Sequence, residues 1–374
     1  MEKYKIFVLN PGSTSTKVAM YENEDEIFNI KVTHDANKLA EFPNISDQYE
    51  YRYETIMQVL KEQGQSLDGI SAVSTRGGSV CPLEGGVYPI TDLLVADAMS
   101  GKYPKHPAQL GPAIAQKIGK QYNVPAFTVN PPDVDEFDDV ARVTGLSTIF
   151  RSSHAHALNQ KETAIRVAKD LGKRYEDCNF VVAHLGGGVS ITAHRKGKAV
   201  DTTDVIDGEG PMAPTRAGTL PAVALIRECY SGKYTYDQMY SRITKNGGFV
   251  SHLGTSEVLD VVEMVKSGDT YAKLIYDAFV YQVGKSIASM AAVLEGKVDA
   301  IILTGGITHN KDAIDRIEKM VSFCGPVIRR PGEFEMEALA AGAIRVLTGE
   351  EQPKTYTGVP VWQGFDTCGH TEKI

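Results

Sequence analysis

Residues 6–22 read IFVLNPGSTSTKVAMYE. The apolar run Ile6, Phe7, Val8, Leu9 predicts a short buried strand, and the turn chemistry of Asn10, Pro11, Gly12 and Ser13 ends it. Val18 and Met20, alternating with Lys17, Ala19 and Tyr21, then predict a second strand. The pattern is that of a β-hairpin. Its turn gathers Ser13, Thr14, Ser15 and Thr16 ahead of Lys17, so backbone N–H groups, hydroxyls and one ammonium are offered to an anion such as phosphate. Taken alone, the same composition also suits a plain solvated turn. It is not a P-loop, because GxxxxGK[ST] is absent and no helix follows directly.

The hairpin recurs. Residues 180–197, FVVAHLGGGVSITAHRKG, repeat an apolar run, a turn at Gly186, Gly187 and Gly188, and an alternation of Val189, Ile191 and Ala193 with Ser190, Thr192 and His194. Two such units at half-chain spacing predict a duplicated fold.

A chain of 374 residues is long enough for two domains, each with its own core. Hydrophobic content of 42% with 23% charged residues gives no ground for disorder. A net charge of −8 argues against non-specific nucleic-acid binding, so an anionic ligand must be held by individual arginines and lysines. Charges interrupt the first nine residues and no stretch approaches the ~18 apolar residues of a membrane span, so no signal peptide, anchor or membrane partner is expected and the cytoplasm is the default location. Cys81, Cys178, Cys229, Cys324 and Cys368 lack CxxC spacing and read as free thiols.

Along the chain, a return strand is expected at 26–32 and a helix at 46–63 with Ser46 as its cap. A strand at 70–74 runs into Thr75, Arg76, Gly77 and Gly78, which sets an arginine at a strand's C-terminal end, where open α/β sheets bind ligands. A helix over 107–120 and a strand over 126–130 precede the acidic run Asp133, Asp135, Glu136, Asp138, Asp139, most of it expected to be solvated or to cap a helix, with one carboxylate available to a site. A helix at 152–171 would carry His154 and His156 in its first turn, on different faces and so without a shared metal.

Residues 201–221, DTTDVIDGEGPMAPTRAGTLP, are too long for a plain connector, and Arg216 is their only basic residue. A helix at 221–230 follows. The longest helix is expected at 269–295, with a stripe through Leu274, Ala278, Val283, Ile287, Met290, Ala291 and Leu294. A buried strand at 300–303 empties into Thr304, Gly305, Gly306 and Ile307, a turn suited to a nucleotide but also to any tight strand–helix connection. A final helix at 335–348 carries Ala338, Ala340, Ala341 and Gly342 for close packing on another helix, and the last twenty-odd residues read as an extended tail.

The ordered set NPGSTSTK (10–17), RGG (76–78), HALNQ (156–160), HLGGGVSI (184–191), DGEGP (207–211), TRAGTLP (215–221) and TGGI (304–307) resembles the acetokinase family of the actin-like, sugar kinase and Hsp70 ATPase superfamily, and within it the butyrate-kinase branch. The resemblance runs over essentially the whole chain. It implies an α/β, duplicated actin-like ATPase (ribonuclease H-like) fold closing around ATP, in two domains that each hold a mixed five-stranded sheet flanked by helices. The expected domains are 1–150, joined by about 334–374, and 151–333.

It further implies reversible, direct in-line phosphoryl transfer between ATP and a short-chain carboxylate, giving an acyl phosphate and ADP. Asn10, Ser13, Ser15 and Lys17 resemble the first phosphate motif, His184 with Gly186, Gly187 and Gly188 the second, and Gly305 with Gly306 the adenosine turn. Arg76, Asp135, His156 and Arg216 resemble the acyl-phosphate site. Glu335, with Glu337 as competitor, and Asn10 would lie near Mg²⁺. The family's Asn-Glu-Glu motif is replaced here by Phe334, Glu335, Met336 and Glu337, and Thr215 stands where relatives often carry Glu. A dimer-based homo-oligomer is also implied.

A carboxylic acid, with a pKa of about 4, is already an anionic nucleophile at neutral pH and needs no base. The obstacle is charge repulsion, so arginine forks at Arg76 and Arg216, a donor at His156 and Mg²⁺ on the β- and γ-phosphates are the expected catalytic apparatus. Gly77 and Gly78, where acetate kinases tend to have β-branched valines, would open the acyl pocket to butyrate, branched-chain acids or both, with acetate and propionate as the alternatives. A sugar kinase would use Asp135 as base and has no need of two arginines. An actin- or Hsp70-like binding protein would carry further domains.

Overall fold

In a computed structural model that describes residues 3–103 and 105–366, both hairpins form and each seeds a sheet. The first comprises β1 (Lys5–Pro11), β2 (Ser15–Glu22), β3 (Asp25–Thr33), β4 (Ala72–Thr75), β5 (Val87–Pro89) and β6 (Ala126–Val129), in the order β3-β2-β1-β4-β6-β5. The second comprises β7 (Asn179–Leu185), β8 (Val189–Arg195), β9 (Lys198–Thr202), β10 (Ala300–Gly305) and β11 (Val327–Pro331), in the order β11-β10-β7-β8-β9. In each, an antiparallel three-strand meander continues into two strands parallel to its first, so β1, β2, β3, β4, β6 correspond to β7, β8, β9, β10, β11. The duplication inferred from two turns is a duplication of topology. The first sheet departs from the expected five strands by one, because short β5 adds antiparallel to β6.

The chain divides into two compact units, Met1–Asp135 with Phe334–Asp366, and Glu136–Glu333. The division falls ahead of residue 150 for a physical reason. Glu136 pairs with Lys161 at 2.7 Å, both side chains almost fully buried, and Asp138 pairs with Arg195 at 2.6 Å, which commits the acidic run from Glu136 onward to the second unit, Asp133 and Asp135 staying with the first. Asp138 and Asp139 open the short helix Asp139–Arg142, as the capping expectation had it, whereas Glu136 and Asp135 are buried instead of solvated, Asp135 being 6% exposed.

In the first unit, Phe7, Leu9, Val18 and Val73 pack against Ile56 and Leu60 of helix Tyr49–Glu62 and Ile114 and Ile118 of helix Leu110–Tyr122. Burying an aliphatic side chain of this size contributes about 1.5–3 kcal/mol. Helix Glu335–Leu347 packs directly on the sheet instead of the expected helix: Ser74 Oγ donates to Leu339 O at 2.6 Å, and a Cβ on Gly342 would lie 2.6 Å from Val129 Cγ1. In the second unit, Val181, Ala183 and Leu185 of β7 face helices Thr270–Val293 and Lys311–Val321. Their neighbours Phe180 and Val182 face Ala164 and Val167 of helix Ala157–Asp170. A strand apolar at every position is one covered on both faces.

Local corrections follow from caps and register. Helix 46–63 starts as a 3₁₀ turn, Ile45–Gln48, capped by Asn44 and Asp47 in place of Ser46. Helix 152–171 starts only at Ala157, with His156 at the cap position and His154 upstream. Leu274 is 60% exposed, because the buried stripe of Thr270–Val293 runs through Ile275, Phe279, Val283 and Ile287. Helices Tyr236–Thr244 and Val258–Lys266 had no counterpart in the sequence reading. Of the tail, Lys354 N donates to Val87 O and Val361 N to Pro82 O, tying it to the first unit; Cys368 lies outside the described residues. Among the described residues no helix is long and apolar enough to cross a membrane.

Candidate functional site

The β1–β2 turn is set by what takes its carbonyls. Gly12 N donates to Ser15 O at 2.7 Å, His34 N to Thr14 O at 2.9 Å, and Arg52 Nη1 and Nη2 to Gly12 O and Ser13 O at 2.7 and 2.9 Å. Four consecutive carbonyls are thus drawn into protein. Ser13 and Thr14 are exposed, and Lys17 stands exposed on β2 opposite Asn10. Thr16, which the sequence grouped with the anion-facing hydroxyls, is buried and bonded to His34 Nε2 at 2.9 Å. Burial, with Arg52 adding to it, pushes His34 down to about 4, so it is neutral at pH 7.

At the end of β1, Asn10 Nδ2 donates to Glu335 Oε2 at 2.9 Å, leaving the amide oxygen of Asn10 uncommitted by this bond. Glu335 Oε1 lies 3.6 Å from Arg76 Nη1. Sequence-distant Asn10, Arg76 and Glu335 therefore meet, whereas among the described residues no hydrogen bond or ion pair joins Glu337 to them. Gly77 adopts φ +63°, and a Cβ there would fall 2.3 Å from Thr128 Oγ1, the hydroxyl that donates to Arg76 O at 3.0 Å. A Cβ on Gly78 would meet Pro132 at 3.3 Å and Ala108 at 3.6 Å. The space beside these glycines is filled, so they shape the backbone that presents Arg76 and do not open a pocket as the sequence suggested.

In the second unit, Gly186 N donates to Gly188 O and Thr215 Oγ1 to Gly187 O at 3.1 and 3.0 Å, again turning carbonyls inward. The Arg216 guanidinium lies across this loop: a Cβ on Gly188 would fall 1.5 Å from its Nη1. Desolvation pulls Arg216 below the ordinary arginine range, with Asp204 acting the other way. His156 and His184 stack with ring centroids 3.9 Å apart. Asn159 Nδ2 donates to His184 Nδ1 at 2.9 Å, which leaves Nε2 as the protonated nitrogen of the neutral ring, 3.6 Å from Glu333. Ser190 Oγ accepts from Gln160 Nε2 (2.9 Å) and His156 N (3.3 Å), so its own proton goes to His156 Nδ1 (2.8 Å) and His156 also presents Nε2–H. Gly305 sits at φ +94°, where a Cβ would meet Leu185 O at 2.4 Å, while Gly306 opens a short 3₁₀ turn with nothing near its missing side chain.

The sequence reading missed several residues. Arg52 is wholly buried on the Gln48, Arg52, Ile56, Leu60 face of its helix, and a charge interrupting an apolar stripe was the available signal. His106 caps the Pro107–Gln109 turn, and burial first, then the Arg76 charge, holds it below the ordinary histidine range; a His-Pro pair opening a helix was its signal. His154 Nδ1 bonds buried Asp204 at 2.6 Å, with Asp207 at 4.0 Å, a pairing between segments that no spacing reveals.

Residues 148–326 match the acetokinase family. A probable butyrate kinase of Clostridium botulinum (strain Alaska E43 / Type E3) is 45% identical over 353 residues, covering 94% of this chain and 99% of the relative. Butyrate kinase 2 of Clostridium acetobutylicum is 47% identical over 354 residues, covering 95% and 99%. The chain belongs to the acetokinase family. Membership in this kinase family implies ATP as its nucleotide. The fold agrees: the crystal structure of Porphyromonas gingivalis acetate kinase superimposes with a TM-score of 0.75 at 20% identity, covering 92% of this chain and all of that one. A propionate kinase from Francisella tularensis subsp. tularensis SCHU S4 gives 0.72 at 20% identity, covering 91% and 98%.

Proposed function

We infer that this acetokinase-family chain is a butyrate kinase, moving the γ-phosphoryl group of ATP onto butyrate to give butyryl phosphate and ADP, reversibly. The observation that carries the reading is the 45–47% identity to proteins named as butyrate kinases along nearly their whole length. The two carbonyl-inward loops support it, since each leaves backbone amides for phosphate oxygens.

The acceptor is ionised at neutral pH, so the protein's work is positioning and charge neutralisation. Asn10, Ser13, Ser15 and Lys17 hold phosphate oxygens from one loop, and Gly186, Gly187 and Gly188 with His184 from the other; Gly305 and Gly306 meet the adenosine. Arg76, oriented by Glu335 and by the carbonyl bond from Thr128, takes a carboxylate in two-point geometry. Arg216 neutralises the transferring group, and His156 donates from Nε2 to its oxygens. Asp135, buried at the end of the first unit's strand-end segment, orients this apparatus and is not needed as a base. Glu335 and the amide oxygen of Asn10 form an all-oxygen donor pair of the kind Mg²⁺ uses together with substrate phosphates, and we assign the metal to Glu335 in preference to Glu337. When bound, Mg²⁺ neutralises the β- and γ-phosphates.

The two compact units are proposed as the enzyme's two domains. Assembly into a homo-oligomer would use the second unit, where Val223, Ile226, Leu259 and Leu274 are each more than half exposed. Sedimentation of the wild type and of a Val223→Lys/Ile226→Lys variant checks this, dissociation of the variant being the expected result.

The deciding assay is hydroxamate formation from acyl phosphate with acetate, propionate, butyrate, valerate, isobutyrate, isovalerate, glycerol or no acceptor. Each buried methylene contributes ~0.8 kcal/mol, so butyrate should exceed acetate in kcat/KM by ~10-fold or more. Equal or better use of acetate would overturn the butyrate assignment, and a preference for isobutyrate or isovalerate would make this a branched-chain acid kinase.

A further inference from the structure

Arg52 is the largest fully buried side chain of the described residues, and it has no carboxylate partner among them. Its Nε donates to Gln48 Oε1 at 3.0 Å, and its two terminal nitrogens donate to Gly12 O and Ser13 O. A guanidinium stripped of water is ordinarily paired with an acid, because neutral acceptors do not offset the loss of hydration. The titratable groups that feel its charge include Tyr51, His106 and His34, the last neutral with its Nε2 taken by Thr16, and among the described residues no carboxylate pairs with it. The same two bonds turn two carbonyl dipoles away from the mouth of the turn, and Gly12 N and His34 N turn the next two. The second loop makes a similar inward turn with a neutral donor, Thr215, and the cation beside it, Arg216, lies across the loop.

We propose that Arg52 is a positioning residue for the first phosphate loop: it fixes the loop's amides outward and holds behind them a buried positive charge whose counter-ion is the polyphosphate of the bound nucleotide. The proposal rests on the nucleotide reading of the loop given above. It assigns to a residue that never touches the ligand a share of the affinity for phosphate, distinct from the affinity for adenosine. Lysine cannot replace it fully, because one ammonium cannot span Gly12 O, Ser13 O and Gln48 with the geometry of a planar fork.

The test uses the full chain and the variants Arg52→Gln and Arg52→Lys, with ADP, adenosine and inorganic pyrophosphate as probes in calorimetric titration and thermal denaturation. Arg52→Gln should bind ADP ~10-fold or more weakly, as expected for losing a charge acting on an anion in a partly desolvated site, and adenosine unchanged. The rise in Tm that pyrophosphate gives the wild type should shrink in Arg52→Gln, since a ligand stabilises only in proportion to its affinity. Arg52→Lys should fall between. Wild-type affinity of folded Arg52→Gln for ADP and pyrophosphate would overturn the proposal, and so would an equal loss of adenosine and ADP, which marks a purely structural role. Where Arg52→Gln does not fold, Arg52→Lys is read by the same two criteria. Failure of the kinase reading shows separately, as a wild type that binds ADP yet forms no butyryl hydroxamate.

Discussion

Gly188→Ala gives the sharpest test of how Arg216 is held. A Cβ built on Gly188 falls 1.5 Å from Arg216 Nη1 and 2.8 Å from its Cζ, so the two cannot coexist and the guanidinium must leave the loop. The displaced atoms are the far end of a flexible chain, and overpacking of about 1–3 kcal/mol in a rigid core should here stay near the low end, at roughly 1 kcal/mol. For a chain of this size that is a Tm change of only about 1–2 °C. Turnover should respond far more. Arginines that neutralise a transferring phosphoryl group contribute ~10³-fold or more, and one displaced without being removed should cost ~10²–10³-fold in kcat.

Gly187→Ala is the matched control, because a Cβ there meets nothing within 4 Å. Its stability and kcat should be those of the wild type. A higher KM for ATP alone is expected if phosphates approach that backbone closely. Steady-state kinetics with butyrate and ATP, alongside thermal denaturation, separate these outcomes. Wild-type kcat in a folded Gly188→Ala protein would refute the argument that Arg216 must rest over the glycine loop to act. Equal kcat losses in the two variants would trace the effect to loop flexibility instead.

Gly77→Ala sets a methyl 2.3 Å from Thr128 Oγ1 at φ +63° and should lower stability by about 1–3 kcal/mol in denaturant unfolding. Thr128→Ala removes the clashing hydroxyl and should restore part of the loss, the φ strain remaining; no recovery in the double variant would mean that backbone strain alone sets the cost. His34, held at about 4 against an ordinary 6.5, binds fewer protons folded than unfolded. Its contribution is therefore fully present above 6.5 and is lost as pH falls toward 4, by at most ~3 kcal/mol. A His34→Gln protein should show a flatter stability profile across that window, measured by urea unfolding, and an unchanged slope would count against the buried neutral ring. Ser190→Ala removes the proton that fixes His156 Nδ1 as acceptor. Ring ¹⁵N shifts should report a mixed tautomer and kcat should drop ~10²-fold, in the range that general acid–base donors contribute; a single Nε2–H tautomer in the variant would remove Ser190 from this role.

What was legible in the sequence is what short-range chemistry encodes. The hairpins at 6–22 and 180–197 announced themselves because strand alternation and turn residues lie within one stretch, and their repetition carried the fold. Arg76 was visible because two glycines follow it, and the structure explains both by Thr128 and Pro132. The role given to those glycines was not legible, since whether a missing side chain leaves a void depends on what another segment puts there. Strand β5 escaped because a three-residue pairing with β6 leaves no local pattern, whereas helices Tyr236–Thr244 and Val258–Lys266 carried local signals that the sequence reading passed over, a Thr235–Gln238 capping box in the first and a Val258, Val261, Val262, Val265 stripe in the second.

Apart from His106, which caps the turn that follows it, the supporting residues that the sequence missed act through partners far along the chain. Arg52 matters because Gly12 and Ser13 lie above it, and His154 because Asp204 reaches its ring. Ser190 matters because it gives His156 its tautomer. Such residues carry no motif of their own, since the chemistry lies in the ligand-facing group and the constraint lies in its support. A charge on an apolar helical stripe is the exception, because burial of Arg52 without an acid costs too much unless something returns the interaction. In this fold the two carbonyls of the first loop return part of it, and the anion that the loop's outward amides are built to receive is the natural source of the rest.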